Sequence, residues 1–430
     1  MMMLPNNILS LLQFFTLLYL FTVTFASTEE TTSLLKWKAT FKNQNNSLLS
    51  SWRSRTRITH DGTGTELYAL MVGMNNLSGT IPPEIGNLTN LVYLDLSINQ
   101  ISGTIPPQIG SLAKLEILHI FDNHLNGSIP KEIGYLRSLT DLSLNSNFLN
   151  GTIPASLGNL NNLSYLYLYE NNLSGSIPAE IGKLVNLIEV YLSRNQLTGH
   201  IPPEIGNLTN AKVFYAFFNE LYGPIPTEIG KMKSLQNLSL QTNNLSGLIP
   251  KTIGDLTELK LLHLYANQLS GQIPSELGNL KNLDDLELSH NKLTGPIPIT
   301  IGDLTELKLL HLYANQLSGQ IPSELGNLKN LDDLELSNNK LTGPIPITID
   351  TNDTVSRLDD EESNSEFLSD FWKGALMGYG SGLCIGLSIL YFMISTGKPI
   401  WLARIIVELE HKMMMGRRKK QRRQRNQKKK

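Results

Sequence analysis

The chain has 430 residues, a formal net charge of −2, 41% hydrophobic residues and a single cysteine, Cys384. That length admits two or three compact domains or one elongated repeat array, and the lone cysteine excludes an intrachain disulfide. Charge is unevenly divided: residues 359–370 hold six acids, whereas residues 397–430 hold thirteen Lys or Arg against Glu408 and Glu410, as expected when a membrane separates the two regions.

Taken in chain order, residues 8–25 form an apolar run that reaches a small-residue site at Thr24-Phe25-Ala26, so 1–26 reads as a cleaved signal peptide. An uncleaved anchor is the alternative. Residues 28–52 follow a helical pattern with Leu34, Leu35, Trp37, Phe41, Leu48, Leu49 and Trp52, which makes 27–66 an amino-terminal cap.

From there the sequence repeats. Asn75, Asn99, Asn123, Asn147, Asn171, Asn195, Asn219, Asn243, Asn267, Asn291, Asn315 and Asn339 recur every 24 residues without an insertion. The unit is LxxLxLxxNxLxGxIPxxIGxLxx. In residues 91–99, Leu94 and Leu96 alternate with Tyr93, Asp95 and Ser97, which predicts a short strand with leucines inward and polar groups outward. The Asn suits a cap on the bend after the strand, and Gly-x-Ile-Pro suits an extended segment leading to the convex side. One such coil cannot bury its own leucines, so stability must come from stacking.

This unit resembles the plant extracellular type of leucine-rich repeat, over about residues 67–350 and twelve repeats. The resemblance implies an α/β leucine-rich-repeat solenoid, right-handed, with a parallel β-sheet on its concave face. Residues 28–52 resemble the amino-terminal cap of plant repeat receptors. The family continues that cap into a paired-cysteine segment, whereas residues 53–70 here contain no cysteine, and the paired-cysteine cap after the last repeat is also missing. Residues 253–300 and 301–348 are identical except for His290 against Asn338, the mark of a two-repeat duplication.

An acidic linker, 351–373, then leads to residues 374–396, an apolar run long enough to span a bilayer as a helix. Acids before it and bases after it predict a type I orientation at the plasma membrane with the repeats outside. Gly374, Gly378, Gly382 and Gly386 fall on one face of that helix in overlapping GxxxG units, a pattern for helix pairing. Residues 371–412 resemble the membrane region of plant receptor-like proteins, which implies an adaptor receptor kinase bound through helix and linker. The basic tail, 397–430, is expected to attract anionic lipid by about 1 kcal/mol per charge near the surface. Its attachment to the membrane argues against nucleic acid as its partner.

Outward strand positions carry the candidate contacts. Tyr165, Tyr167, Tyr169, Tyr191, Tyr215 and Phe217 cluster on three successive coils and read as a ligand or partner patch. The blander reading is that the rings only cover neighbouring strands. Further along, His263, Tyr265, Asp285, Glu287, His311, Tyr313, Asp333 and Glu335 also face outward. Paired carboxylates suit glycosidases and His with acids suits metals. Both are set aside, because the duplication explains the set and the positions read as ordinary solvated strand sites; an acidic contact strip for a basic partner is the alternative. No phosphate loop, kinase signature or Ser-His-Asp grouping occurs, so no enzyme activity, cofactor or metal is expected.

Eleven glycosylation sequons, at Asn45, Asn76, Asn87, Asn126, Asn150, Asn162, Asn172, Asn207, Asn237, Asn244 and Asn352, all lie between the two apolar runs. A glycan on Asn237 would close the tyrosine patch on its carboxyl side. These features together predict a receptor-like protein that binds an extracellular peptide, protein or glycan and signals through a partner kinase in plant defence or development. Two alternatives stay open: a truncated or decoy protein without signalling, and an extracellular inhibitor of microbial wall-degrading enzymes.

Overall fold

The computed structural model describes residues 53–58 and 65–347. The signal segment, the helical part of the cap, Asn45, Asn352, the acidic linker, the glycines at 374, 378, 382 and 386 and the basic tail lie outside the described residues. No helix of the described residues is long and apolar enough to cross a membrane.

Each repeat closes one coil. In the strand Tyr93–Asp95, Leu94 is fully buried between partly exposed neighbours. The next strand, Ile117–His119, pairs with it in parallel and in register, Leu94 opposite Leu118. The same 24-residue step repeats up to Asp333–Glu335, so the strands form one 13-stranded sheet in chain order. Only the first pair departs from this. The cysteine-free segment Arg53–Ile58 runs antiparallel to Thr65–Met71, with a register irregularity between Arg55 and Thr56. This antiparallel strand ends the sheet at its N-terminal side.

Behind the sheet lies a continuous column of buried Leu and Ile running from Leu67 to Leu336. Burying one such side chain is worth about 1.5–3 kcal/mol, and no coil could do it without its neighbours.

After each Asn the chain runs along a lateral face. The sequence predicts only an extended crossover here; the structure pairs these segments into two further six-stranded parallel sheets. One runs from Ser78–Thr80 to Gln196–Leu197, the other from Tyr222–Gly223 to Lys340–Leu341. Proline then fixes the turn to the convex side, as where Pro82, φ −77° and ψ 150°, precedes the 3-10 helix Pro83–Asn87.

The helical half of the predicted α/β architecture is thus different in kind: among the described residues every convex helix is a five-residue 3-10 turn. Coils stack about 4.8 Å apart along a parallel sheet, and an α-helix about 10 Å wide on each would force them apart. The tighter turn keeps neighbours in contact. Its glycine is part of that contact: a Cβ on Gly182 would lie 2.3 Å from the carbonyl oxygen of Glu204 in the next coil.

The residue before each repeated Asn turns with positive φ, from Met74 at 55° to Asn338 at 54°. The composition of these corners, which includes Ile98, Phe218 and Ala266, carries no sign of that conformation.

Candidate ligand-binding face

All six residues of the predicted patch come together. Tyr165 and Tyr167 flank the buried Leu166 and pair in register with Glu189 and Tyr191, which pair in turn with Val213 and Tyr215. The rings form an edge-to-face ladder: Tyr167 to Tyr191 is 5.1 Å between centroids at 62°, and Tyr191 to Tyr215 is 4.9 Å at 77°. Tyr165 stacks beside Tyr167 at 6.3 Å, Tyr169 approaches Tyr191 at 6.0 Å, and Phe217 approaches Tyr215 at 5.7 Å. Such pairs are worth about 0.5–1.5 kcal/mol beyond their buried area.

Several members of the patch were not anticipated. The Tyr167 hydroxyl donates to Glu189 Oε2 at 2.7 Å. Phe218 meets Phe217 at 5.8 Å and carries the Arg194 guanidinium 5.0 Å from its ring centre. Glu189 sits at a predictable outward strand position. Phe218 and Arg194 occupy the positive-φ corner, where the alternation of a strand gives no guidance. A second ring group lies upstream, with His119 beside Tyr93 and Phe121 and its Nε2 3.1 Å from Asp141 Oδ2. These too are outward strand positions.

Burial, reinforced by the Glu189 hydrogen bond and charge, raises the Tyr167 phenol above its usual range. Burial and then Glu189 push Tyr191 up to about 12. Burial followed by Glu170 raises Tyr169, and burial followed by Glu189 raises Tyr215. The phenols therefore stay protonated at physiological pH, able to donate and accept hydrogen bonds around an apolar ring surface.

The second predicted group is less exposed than its sequence implies. Glu287 is 5% exposed, His311 1% and Tyr265 5%, so the reading of these as solvated strand sites is corrected. The cause is their register. His263, Glu287 and His311 pair on adjacent strands and cover one another, while Tyr265 stands 6.1 Å from the His263 ring and Tyr313 5.9 Å from that of His311. His311 Nδ1 lies 3.4 Å from Glu287 Oε1 and its Nε2 lies 3.3 Å from Asp333 Oδ1. Burial alone would lower the His311 pKa, but the hydrogen bonds and charges of Asp333 and Glu287 outweigh it and raise it to about 9. His263 is raised in the same sense, Asp285 and Glu287 outweighing burial. Asp333 and Glu335 remain partly exposed on the last strand of the 13-stranded sheet. His290, the one position distinguishing the duplicated halves, packs edge-on against Tyr313 at 4.9 Å.

Of the described sequons, Asn76, Asn87, Asn126, Asn150, Asn162, Asn172 and Asn207 are exposed, while Asn237 and Asn244 are partly buried. Asn237 hydrogen-bonds the Tyr215 hydroxyl, at the edge of the ring ladder.

Comparison with known proteins follows the repeat. The description Leucine-rich repeat region matches residues 145–271, and Leucine Rich Repeat matches 90–112, 114–136, 282–304, 306–328 and 330–352. The chain belongs to the leucine-rich-repeat family. Within that family it is similar to receptor-like protein Cf-9 of Solanum pimpinellifolium, 47% identical over 58 residues, 14% of this chain and 7% of that protein. Its solenoid is similar to the ectodomain of the Arabidopsis receptor kinase HAESA, solved with the peptide hormone IDA and the co-receptor SERK1: TM-score 0.64, 32% identity, covering 74% of this chain and 55% of that one. A plant peptide hormone receptor, RGFR1 in complex with RGF2, matches with TM-score 0.57 and 35% identity over 65% of this chain and 49% of that chain. The chain thus spans about half the length of these ectodomains and a small part of the receptor-like proteins. Like those ectodomains it is built as a leucine-rich-repeat solenoid.

Proposed function

We propose that this leucine-rich-repeat protein is a cell-surface receptor-like protein that captures an extracellular peptide on its concave face. The observation that carries the reading is the ring ladder of Tyr167, Tyr191 and Tyr215 across three coils, with Glu189 and Arg194 beside it. An extended peptide laid across the strands would place apolar side chains on the rings and its backbone within reach of phenol hydroxyls. Aromatic and Arg side chains in such positions dominate binding energy elsewhere. The peptide complexes of the similar ectodomains support this class of ligand.

Signalling would pass through a partner receptor kinase that pairs with the glycine face of residues 374–396, while the basic tail holds anionic lipid and the exposed sequons carry glycans. The setting would be plant defence or development. The test is binding of a library of secreted plant and microbial peptides to the full-length glycoprotein in detergent. A ligand on this face should lose affinity about 10–100-fold with Tyr191→Ala, since one hot-spot side chain carries about 2 kcal/mol or more. Binding that is indifferent to Tyr191→Ala and Tyr215→Ala together would remove the concave face from the proposal.

A further inference from the structure

We propose that Glu189, among the rings of Tyr165, Tyr167 and Tyr191, selects a peptide carrying a lysine or arginine side chain and holds that cationic head against its carboxylate. The inference rests on the concave-face reading above and adds the charge of the ligand to it. Glu189 stands opposite Tyr165 in the parallel register, and the next row of the same two strands pairs Tyr167 with Tyr191. One partly exposed carboxylate therefore sits among three phenol rings, and its Oε2 accepts from the Tyr167 hydroxyl at 2.7 Å.

That carboxylate has no cation of its own among the described residues. Its partners are phenol hydroxyls, which fix it in place without neutralising it. Burial and then the charge of Glu189 raise the Tyr191 and Tyr215 phenols, so that charge is felt along its own strand and on the next. From Tyr93–Asp95 to Asp333–Glu335, the first and last residues of each strand in the concave sheet include no Lys or Arg. Arg194, at the neighbouring corner, is engaged by Glu170 at 3.7 Å and lies over the Phe218 ring. Asp141 flanks Tyr165 on the other side, but its oxygens already face His119 at 3.1 Å and Ser143 at 3.3 Å. Glu189 is thus the anchor.

An ammonium or guanidinium fits this environment in three ways. It meets an opposite charge, it gains from the electron-rich rings, and it donates charge-assisted hydrogen bonds to the remaining carboxylate lone pairs. An acidic side chain placed there would be repelled, so the same geometry discriminates between peptides.

The test pans a phage-displayed library of random nonapeptides on the full-length glycoprotein in detergent and keeps those whose binding is lost with Tyr191→Ala. We expect Lys or Arg at a fixed position of the kept peptides. Replacing it with its neutral analogue, norleucine for Lys or citrulline for Arg, should weaken binding at least about 10-fold, as loss of one partner of a charge pair does. Added salt should weaken the parent peptide more than the neutral one. Glu189→Gln keeps an acceptor for the Tyr167 hydroxyl and removes only the charge. It should weaken the parent by a similar factor and leave the neutral analogue unchanged, a difference that a merely structural role would not produce. Kept peptides without a cation overturn the proposal while the concave-face reading stands. So does a Glu189→Gln effect that is equal for parent and neutral analogue, zero included. Failure to obtain any Tyr191-dependent peptide overturns the concave-face reading and this proposal with it.

Discussion

Asn219 is fully buried, and its Oδ1 accepts the backbone N–H of Leu197 in the preceding coil at 3.0 Å. Its amide nitrogen donates back to the carbonyls of Leu192 at 3.0 Å and Ala216 at 3.1 Å. The side chain therefore joins two coils at the corner, where backbone pairing alone leaves these groups unmet. Asn219→Ala leaves the buried Leu197 N–H without its acceptor, while the Leu192 and Ala216 carbonyls keep only the donors from Asn195 and Asn243. A loss of about 1–3 kcal/mol is expected, read as a lower urea midpoint. At the partly buried end of the array Asn339→Ala should lose less, since water can replace the bonds to Leu317 and Leu312. Equal losses at both positions would show that burial is not what gives the Asn its weight.

The convex turns make a separate prediction. A Cβ on Gly206 would stand 2.3 Å from the carbonyl oxygen of Glu228, and that backbone is fixed by the next turn. Gly206→Ala must push two coils apart, which is expected to destabilise by about 1–3 kcal/mol as overpacking does. Hydrogen exchange should locate the damage: faster exchange around residues 203–231, with the strands near Tyr93 unaffected, because each coil touches only its neighbours.

How far the sequence carries these conclusions depends on what repeats and what does not. The 24-residue period fixes the inward leucines, the strand register and the Asn corner, since each follows from alternation and stacking. The same alternation puts Tyr167 and Tyr191 on one face. It is silent on neighbours set by three-dimensional packing. The lateral sheets, the 3-10 form of the convex turns and the positive φ at Phe218 depend on the narrow spacing of coils rather than on local propensity. The burial of Glu287 and His311 was misjudged for a related reason: an outward strand position counts as solvated only until its neighbours in register are considered.

Tyr167 and Glu189 allow the patch to be tested for pre-organisation without a ligand. Tyr167→Phe keeps the ring contact with Tyr191 and removes only the hydroxyl that Glu189 accepts at 2.7 Å. A double-mutant cycle with Glu189→Gln should give a coupling of about 0.5–1.5 kcal/mol in unfolding, the range for one hydrogen bond. Zero coupling would mean that the two side chains do not hold each other in solution.

The raised phenols give a pH dependence of definite sign. Tyr191 is pushed up to about 12 by burial and then Glu189, and Tyr167 is raised further in the same direction. A phenol with a higher pKa in the folded protein binds its proton more tightly there than in the unfolded chain. Its contribution is therefore complete below the ordinary phenol pKa of about 10 and is lost as pH climbs from there through the folded value. Stability should thus fall on the alkaline side. Ultraviolet titration should show one class of phenols ionising near the ordinary value and a second class resisting until the solenoid opens. Tyr191→Phe and Tyr167→Phe should each remove part of the resistant class. A single class titrating at the ordinary value would show that the ladder of rings is not packed as described.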